Sequence, residues 1–357
     1  MNVIPLNIPD RAHIHRHYCV SFSNAFVKHK DVTTINGIGT EWVEAFHNNK
    51  KLNLDQKDYQ KAGRYDLFYS DITNTDHSFD EVLDNVFLLY DPAGLNYAHF
   101  FFDYFGKVLY YDELLKSNPN LKLGIPEDYY QEEGNSNFIK QWLDLYYSDK
   151  QVNIVVLKKD KRYRVDKLIV PGTLYGFPEP EGDNFIMEKI IETVKKVPVL
   201  EVKTNGCYIS RQDTIKRGWY HKRDLVNEVE LIDKIKEELN YDIIELMDYD
   251  IIGKIQIFKS YKNIVQQSSA SNVNILFSGP ENNNIILTNP RMGPWLNYKL
   301  TQFSNKCKAG LTIIEDAGEY IVNELDPNQA DKDNYPWQLV NIEGIVQLLK
   351  QVDNGEV

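Results

Sequence analysis

The chain has 357 residues, 42% hydrophobic and 26% charged, with a formal net charge of −12. That length is roughly twice a typical single core, so two domains are expected, and 23 Tyr, 16 Phe and 5 Trp argue against disorder. The acidic balance argues against duplex DNA and against broad electrostatic attachment to anionic lipid, since both require a basic surface.

Three cysteines, Cys19, Cys207 and Cys307, lie far apart and are odd in number, which fits a reducing compartment better than a disulfide framework. The opening MNVIPLNIPDRAHIHRHY has no basic region followed by an apolar stretch, and no apolar window is long enough to span a bilayer. A cytoplasmic chain without a transmembrane segment is the expectation.

In chain order, residues 86–90 (VFLLY) form a continuous apolar run of strand length, ending at the turn cluster Asp91-Pro92-Ala93-Gly94. A helical stretch is predicted over 96–115, a strand over 122–125 and an amphipathic helix over 137–147. Strands follow at 152–157 and 167–170, the second closed by Pro171-Gly172. The acidic stretch 178–184 (PEPEGDN) reads as a linker. Beyond it come a helix over 185–197, a strand at Gly206–Ser210 and a helix over 222–239. In that helix Leu225, Val229, Ile232, Ile235 and Leu239 keep three- and four-residue spacing. Asn227 with Glu230 has the spacing of a capping box, so the helix proper is expected to begin there. Strands at 241–246, 263–267 and 284–287, a helix over 253–261 and a terminal amphipathic helix over 341–352 complete the pattern. Strands alternating with helices predict parallel sheets, hence an α/β protein with two domains across a cleft. Ligands of such sheets bind at the carboxyl ends of strands, so the loops there carry the candidates.

Three constellations stand out. Asn96-Tyr97-Ala98-His99-Phe100-Phe101-Phe102-Asp103 follows a strand and a turn; on an α-helix His99 and Asp103 share a face, and a carboxylate beside an imidazole suits a proton acceptor. A histidine bonded locally among phenylalanines is the alternative. Tyr208-Ile209-Ser210-Arg211 ends a strand in a hydroxyl and a guanidinium, with Lys216, Arg217, Lys222 and Arg223 beyond; Arg offers a planar fork for phosphate, while the later cations also fit a solvated loop. Residues 266–274 (QQSSASNVN) supply small residues, including Ser268, Ser269, Ala270 and Asn274, whose backbone N–H groups at a helix start would suit a diphosphate; an ordinary polar loop is the alternative. His13, His15, His17 and Cys19 alternate as a zinc set would but have no second cluster. Asp248-Tyr249-Asp250 matches a cation-carrying pair of some sugar-nucleotide enzymes but is common in a chain with 52 Asp and Glu. No GxGxxG or P-loop is present.

Together these segments resemble glycosyltransferase family 61 over about residues 86–351. Asn96, His99, Phe100 and Asp103 match its N-x-x-H-[WF] segment with a closing acid. Ile209, Ser210 and Arg211 match its I-S-R strand end, and Arg223, Asn227 and Glu228 its R-x-x-x-N-E helix start. Residues 168–171 match its L-I-V-P strand, and Pro336-Trp337 with the last helix its usual ending. Of the family's G-P-H-G-A-G-L-T-N the chain keeps Ala270 and Asn274, with Ser268 in the histidine's place. The family's S-x-x-E-Q appears as Asp250, Gly253 and Lys254.

The resemblance implies the GT-B architecture, two Rossmann-like domains facing across a cleft. The expected division is an acceptor-side domain over 1–183, a nucleotide-sugar domain over 184–335, and a helix within 336–357 returning to the first domain. It implies transfer of a sugar from a UDP-sugar to a saccharide or glycan acceptor, with inversion and no required metal, as in capsule or lipopolysaccharide assembly. His99 would act as base, oriented by Asp103. Ser210, Arg211, Arg223 and the loop Ser268, Ser269, Ala270 and Asn274 would hold the donor, with Lys254 as an alternative cation. Nucleic acid is not an expected partner; peripheral membrane contact is compatible with this reading. The altered loop leaves a sugar- or partner-binding protein without turnover as the runner-up. A glycoside hydrolase would need a carboxylate pair that does not stand out here.

Overall fold

A computed structural model describes residues 2–5, 18–29, 43–47, 50–52, 69–73, 78–90, 95–133, 137–171, 184–212, 225–288, 294–315, 317–320 and 337–356; for Asp103 it describes the backbone alone. The chain divides into two compact units, Met1–Lys189 and Ile190–Val357. The linker expected at 178–184 falls outside the described residues except Asn184. No helix among the described residues is long and apolar enough to cross a membrane.

The first unit holds β1 (Asn2–Pro5), β2 (Tyr18–His29), β3 (Val43–His47), β4 (Lys50–Leu52), β5 (Tyr69–Thr73), β6 (Glu81–Leu88), β7 (Lys122–Pro126), β8 (Ile154–Leu157) and β9 (Arg162–Pro171). They form one nine-stranded sheet in the order β5-β4-β3-β2-β9-β6-β7-β8, with β1 also on β2. Strands β9, β6, β7 and β8 are parallel, as the alternation of strand and helix predicted. The remainder is antiparallel: β2 runs against β1, β3 and β9, and β3, β4 and β5 continue as a meander. A Rossmann-like first domain therefore describes only part of this sheet.

After β6 comes one continuous helical rod: α1 (Tyr97–His99), a π-helical turn (Phe100–Tyr104) and α2 (Phe105–Leu115). It packs by aromatic contacts. Phe101 and Phe105 meet Trp142 of α3 (Asn137–Tyr146) edge-on at 4.9 and 5.4 Å, and Tyr104 stacks on Tyr129 at 5.3 Å.

The second unit begins within α4 (Asn184–Val194). Its strands β10 (Gly206–Ser210), β11 (Asp242–Glu245), β12 (Asn263–Gln267), β13 (Asn283–Leu287) and β14 (Gly310–Ile314) form a wholly parallel sheet in the order β11-β10-β12-β13-β14. The chain steps outward from β10 to β11, then returns past β10 to β12, so the strand order reverses between β10 and β12. Helices α5 (Glu228–Leu239), α6 (Ile251–Ser260) and α7 (Pro294–Cys307) connect the strands, and a 3₁₀ segment (Ala270–Phe277) follows β12. A hairpin of β15 (Gly318–Tyr320) and β16 (Trp337–Leu339) precedes α8 (Ile342–Asp353).

Helix α5 starts at Glu228, directly after Asn227, where the cap-type spacing set the start of the helix proper; ahead of it Leu225 bridges Trp337 and the Val226 N–H bonds the Trp337 carbonyl at 2.9 Å. Its inward face is Leu231, Ile232 and Ile235, while Val229 is 57% exposed. In the terminal helix Ile342, Ile345, Val346, Leu349 and Val352 are buried in the second unit's core with Tyr208, Leu231, Val265 and Ile285. At its far end Asp353 accepts hydrogen bonds from Tyr241 (2.8 Å) and Asn263 (2.6 Å), fastening α8 to the start of β12.

At Gly206 an added Cβ would fall within the Tyr241 ring. Gly206→Ala should therefore cost about 1–3 kcal/mol of stability as the overpacked ring is displaced, read as a lower thermal unfolding midpoint.

Candidate functional site

Where a parallel sheet reverses its strand order, the helices leaving the two flanking strands diverge and open a crevice at the strands' carboxyl ends. In the second unit that place lies between β10 and β12, and two of the segments singled out in the sequence end there. Strand β10 delivers Ser210 and Arg211; β12 delivers Gln267 and Ser268. Ser210 is buried and its hydroxyl accepts the Gln212 N–H at 3.1 Å, whereas Arg211 is half-buried.

A buried carboxylate joins the two strand ends. Glu228, in the first turn of α5, is 1% exposed. Its Oε1 accepts the Tyr208 hydroxyl (3.0 Å), the Arg211 backbone N–H (3.0 Å) and Gln267 Nε2 (2.8 Å). Its Oε2 accepts Gln212 Nε2 at 2.8 Å. Gln267 Nε2 also donates to the Tyr208 hydroxyl oxygen at 3.0 Å. Burial, and after it the Glu228 charge, push the Tyr208 phenol well above its ordinary range, so it stays an O–H donor. The neighbouring Asn227 occupies the N-cap position but forms no capping box. Its amide instead bonds the backbone of Leu339, accepting the N–H at 2.9 Å and donating to the carbonyl at 3.0 Å. Sequence reasoning had Glu228 only as a motif match; its signal was an acid in a helix's first turn immediately after a cap-type residue.

The loop after β12 is narrower than the sequence suggested. Gln266 and Gln267 belong to the strand and are buried, and the Ser268 N–H extends the ladder to the Leu287 carbonyl at 3.0 Å. On the face of β12 opposite Gln267, neither amide atom of Gln266 has a hydrogen-bond partner within the described residues. The helix expected here exists as the 3₁₀ segment, opened by a capping box. The Ser269 N–H bonds Asn272 Oδ1 at 2.7 Å, the Asn272 N–H returns to Ser269, and Asn272 Nδ2 reaches the Gln267 carbonyl at 3.1 Å. This leaves the N–H groups of Ala270 and Ser271 heading the segment, with Ala270 exposed and Asn274 buried beneath. Helix α6 starts at the same edge of the sheet, after β11. Asp250 caps it by accepting the Gly253 N–H at 2.7 Å, a structural use for half of the acidic pair, and Lys254 lies half-buried in its first turn.

In the first unit Asn96 caps α1, its Oδ1 accepting the N–H groups of Ala98 (3.1 Å) and His99 (3.4 Å). The N-x-x-H spacing thus sets His99 as the third helical residue. His99 is half-buried, while Phe100, Phe101 and Phe102 are buried and anchor the turn. The Phe105 N–H bonds the Phe100 carbonyl, a five-residue step, so Asp103 lies in a π turn and the four-residue spacing to His99 is not that of an α-helix. Further along, Lys107 is buried and donates to the Tyr90 carbonyl at 2.8 Å, a contact between the rod and the end of β6 that no sequence pattern indicated. Arg223, Lys216, Arg217, Lys222, His13, His15 and His17 lie outside the described residues.

Asn272→Ala removes the acceptor of Ser269 and the donor to Gln267 together. A loss of about 1–3 kcal/mol is expected from the unsatisfied groups, measured as a lower midpoint in thermal or urea unfolding.

Residues 97–286, from the first residue of α1 into β13, match a family model described as Glycosyltransferase 61. No curated protein matches the chain.

Proposed function

The chain belongs to glycosyltransferase family 61, and from that premise we propose that it moves a sugar from a nucleotide diphosphate donor, a UDP-sugar, to a hydroxyl of a saccharide or glycan acceptor. The transfer inverts the anomeric centre and requires no metal. The acceptor oxygen attacks the anomeric carbon from the face opposite the diphosphate, and the carbon–oxygen bond to phosphate breaks. The acceptor proton passes to a base, and the nucleotide diphosphate departs with the electron pair.

In this reading His99 is the base and Asp103 orients it. The departing charge is held by the Arg211 guanidinium and by the N–H groups at the start of the 3₁₀ segment, with Ser268, Ser269, Ala270 and Asn274 shaping that cradle. Ser210, Arg223 and Lys254 complete the donor side. The observation that carries the reading is that Arg211 and Ser268 leave the two strands that flank the reversal of strand order, the place in such a sheet where an anion would be received by backbone donors and a guanidinium. The reaction belongs in the cytoplasm, in surface polysaccharide or other glycan assembly; an acceptor carried on lipid would bring the protein to a membrane peripherally.

One observation favours a second reading, a protein that binds sugar nucleotide without turnover. Ser268, which has the family histidine's place, is buried and its N–H is held in the β12–β13 ladder. A thermal-shift panel of UDP-, GDP- and CMP-sugars with and without divalent metal, followed by product analysis with the stabilising donor, separates the two.

A guanidinium–phosphate contact contributes about 1.5–3 kcal/mol. Arg211→Ala should accordingly weaken UDP binding roughly ten- to a hundredfold by calorimetric titration; an unchanged affinity in folded protein would remove Arg211 from the donor site. His99→Ala should lower turnover about a hundredfold or more while leaving UDP affinity as it was, and full turnover in that variant would exclude His99 as base.

A further inference from the structure

We propose that Glu228 is the positioning residue of the donor site, setting the separation between the arginine and the backbone donors that receive the diphosphate. The inference rests on the functional reading above and assigns a part to a side chain that touches no substrate.

A diphosphate is held well only if its cation and its N–H donors stand at a fixed spacing before it arrives. Here those groups belong to different strands. Arg211 follows β10, and the cradle at Ser268–Ala270 follows β12; the ladder between these strands runs only as far as the Ile209–Gln266 pair. Beyond that pair, one carboxylate oxygen spans them. Glu228 Oε1 takes the Arg211 N–H from one side and Gln267 Nε2, one residue before Ser268, from the other. The Tyr208 hydroxyl is bonded to both Glu228 and Gln267, closing a three-membered ring of contacts. For a carboxylate buried this deeply each lost donor is costly, which favours the spacing these bonds set.

The turn that carries the carboxylate is itself bonded to its surroundings. Val226 N–H is bonded to Trp337, Asn227 is bonded twice to Leu339, and the Glu228 N–H bonds the Leu225 carbonyl at 3.2 Å. The first turn of α5 adds its positive end to the neutral donors around the charge. Glu228 therefore acts through Arg211 and Gln267.

Glu228→Gln tests this. It keeps the side chain's volume but sets an NH₂ among groups that all donate, so at least one must turn away. In calorimetric titration with UDP alone, the wild type should bind and the variant should bind about tenfold more weakly. Circular dichroism and the ligand-free melting midpoint report whether the variant is folded. Tyr208→Phe, which removes one donor and keeps the ring packing, should weaken UDP binding less, and it carries the test should Glu228→Gln not fold. A carboxylate with only a structural part would lower the melting midpoint and leave the folded variants' affinity for UDP unchanged, which would overturn the inference while the function stands. A wild type that does not bind UDP would overturn the functional reading and this inference with it.

Discussion

The second unit depends on one buried carboxylate. Among the described residues Glu228 takes four hydrogen bonds, from a phenol, two amides and a backbone N–H, with no lysine or arginine side chain among those donors. Burying an ionised carboxylate costs several kcal/mol unless its lone pairs are filled and a favourable field is present. Both conditions are met by parts of the chain that are far apart in sequence: β10, β12 and the first turn of α5. The carboxylate is thus a test that the fold satisfies only when all three are in register.

Motif residues that look alike in sequence have different structural parts in this chain. Asn96 and Asn227 look alike in sequence, each just ahead of a helix. Asn96 caps, accepting the helix's first N–H groups. Asn227 does not; it pairs with Leu339 and draws the C-terminal segment against α5. The Asn96 cap also fixes where His99 stands in its helix, whereas the Asn227 contacts fix where α5 begins.

The aromatic rod after β6 follows a related logic. A π turn contains a wider, less favourable hydrogen-bonding step than an α turn and persists where packing holds it. Here Phe100, Phe101, Tyr104 and Phe105 are all buried and locked by ring contacts to Phe138, Trp142 and Tyr129. The half-buried His99 sits at the mouth of that turn, so its position is set by apolar packing below it and by the Asn96 cap above it.

Much of this was legible in the amino-acid sequence. Strands β10 and β12 and the terminal helix follow directly from apolar runs, breaker residues and three- to four-residue spacing, because those signals are local. So were the three segments that bear Asp103 and His99, Arg211 and the small residues after β12, since unusual residue types at strand ends need no tertiary information to be noticed. The antiparallel half of the first sheet was not legible: an extended segment carries no mark of which neighbour it will pair with. Nor was the partner of α8, because an amphipathic stripe states that a face will be buried but not against what. The part of Glu228 was decided by tertiary structure alone, since one carboxylate oxygen is shared by residues 208, 211 and 267, and only the strand order β11-β10-β12 brings them within hydrogen-bonding reach.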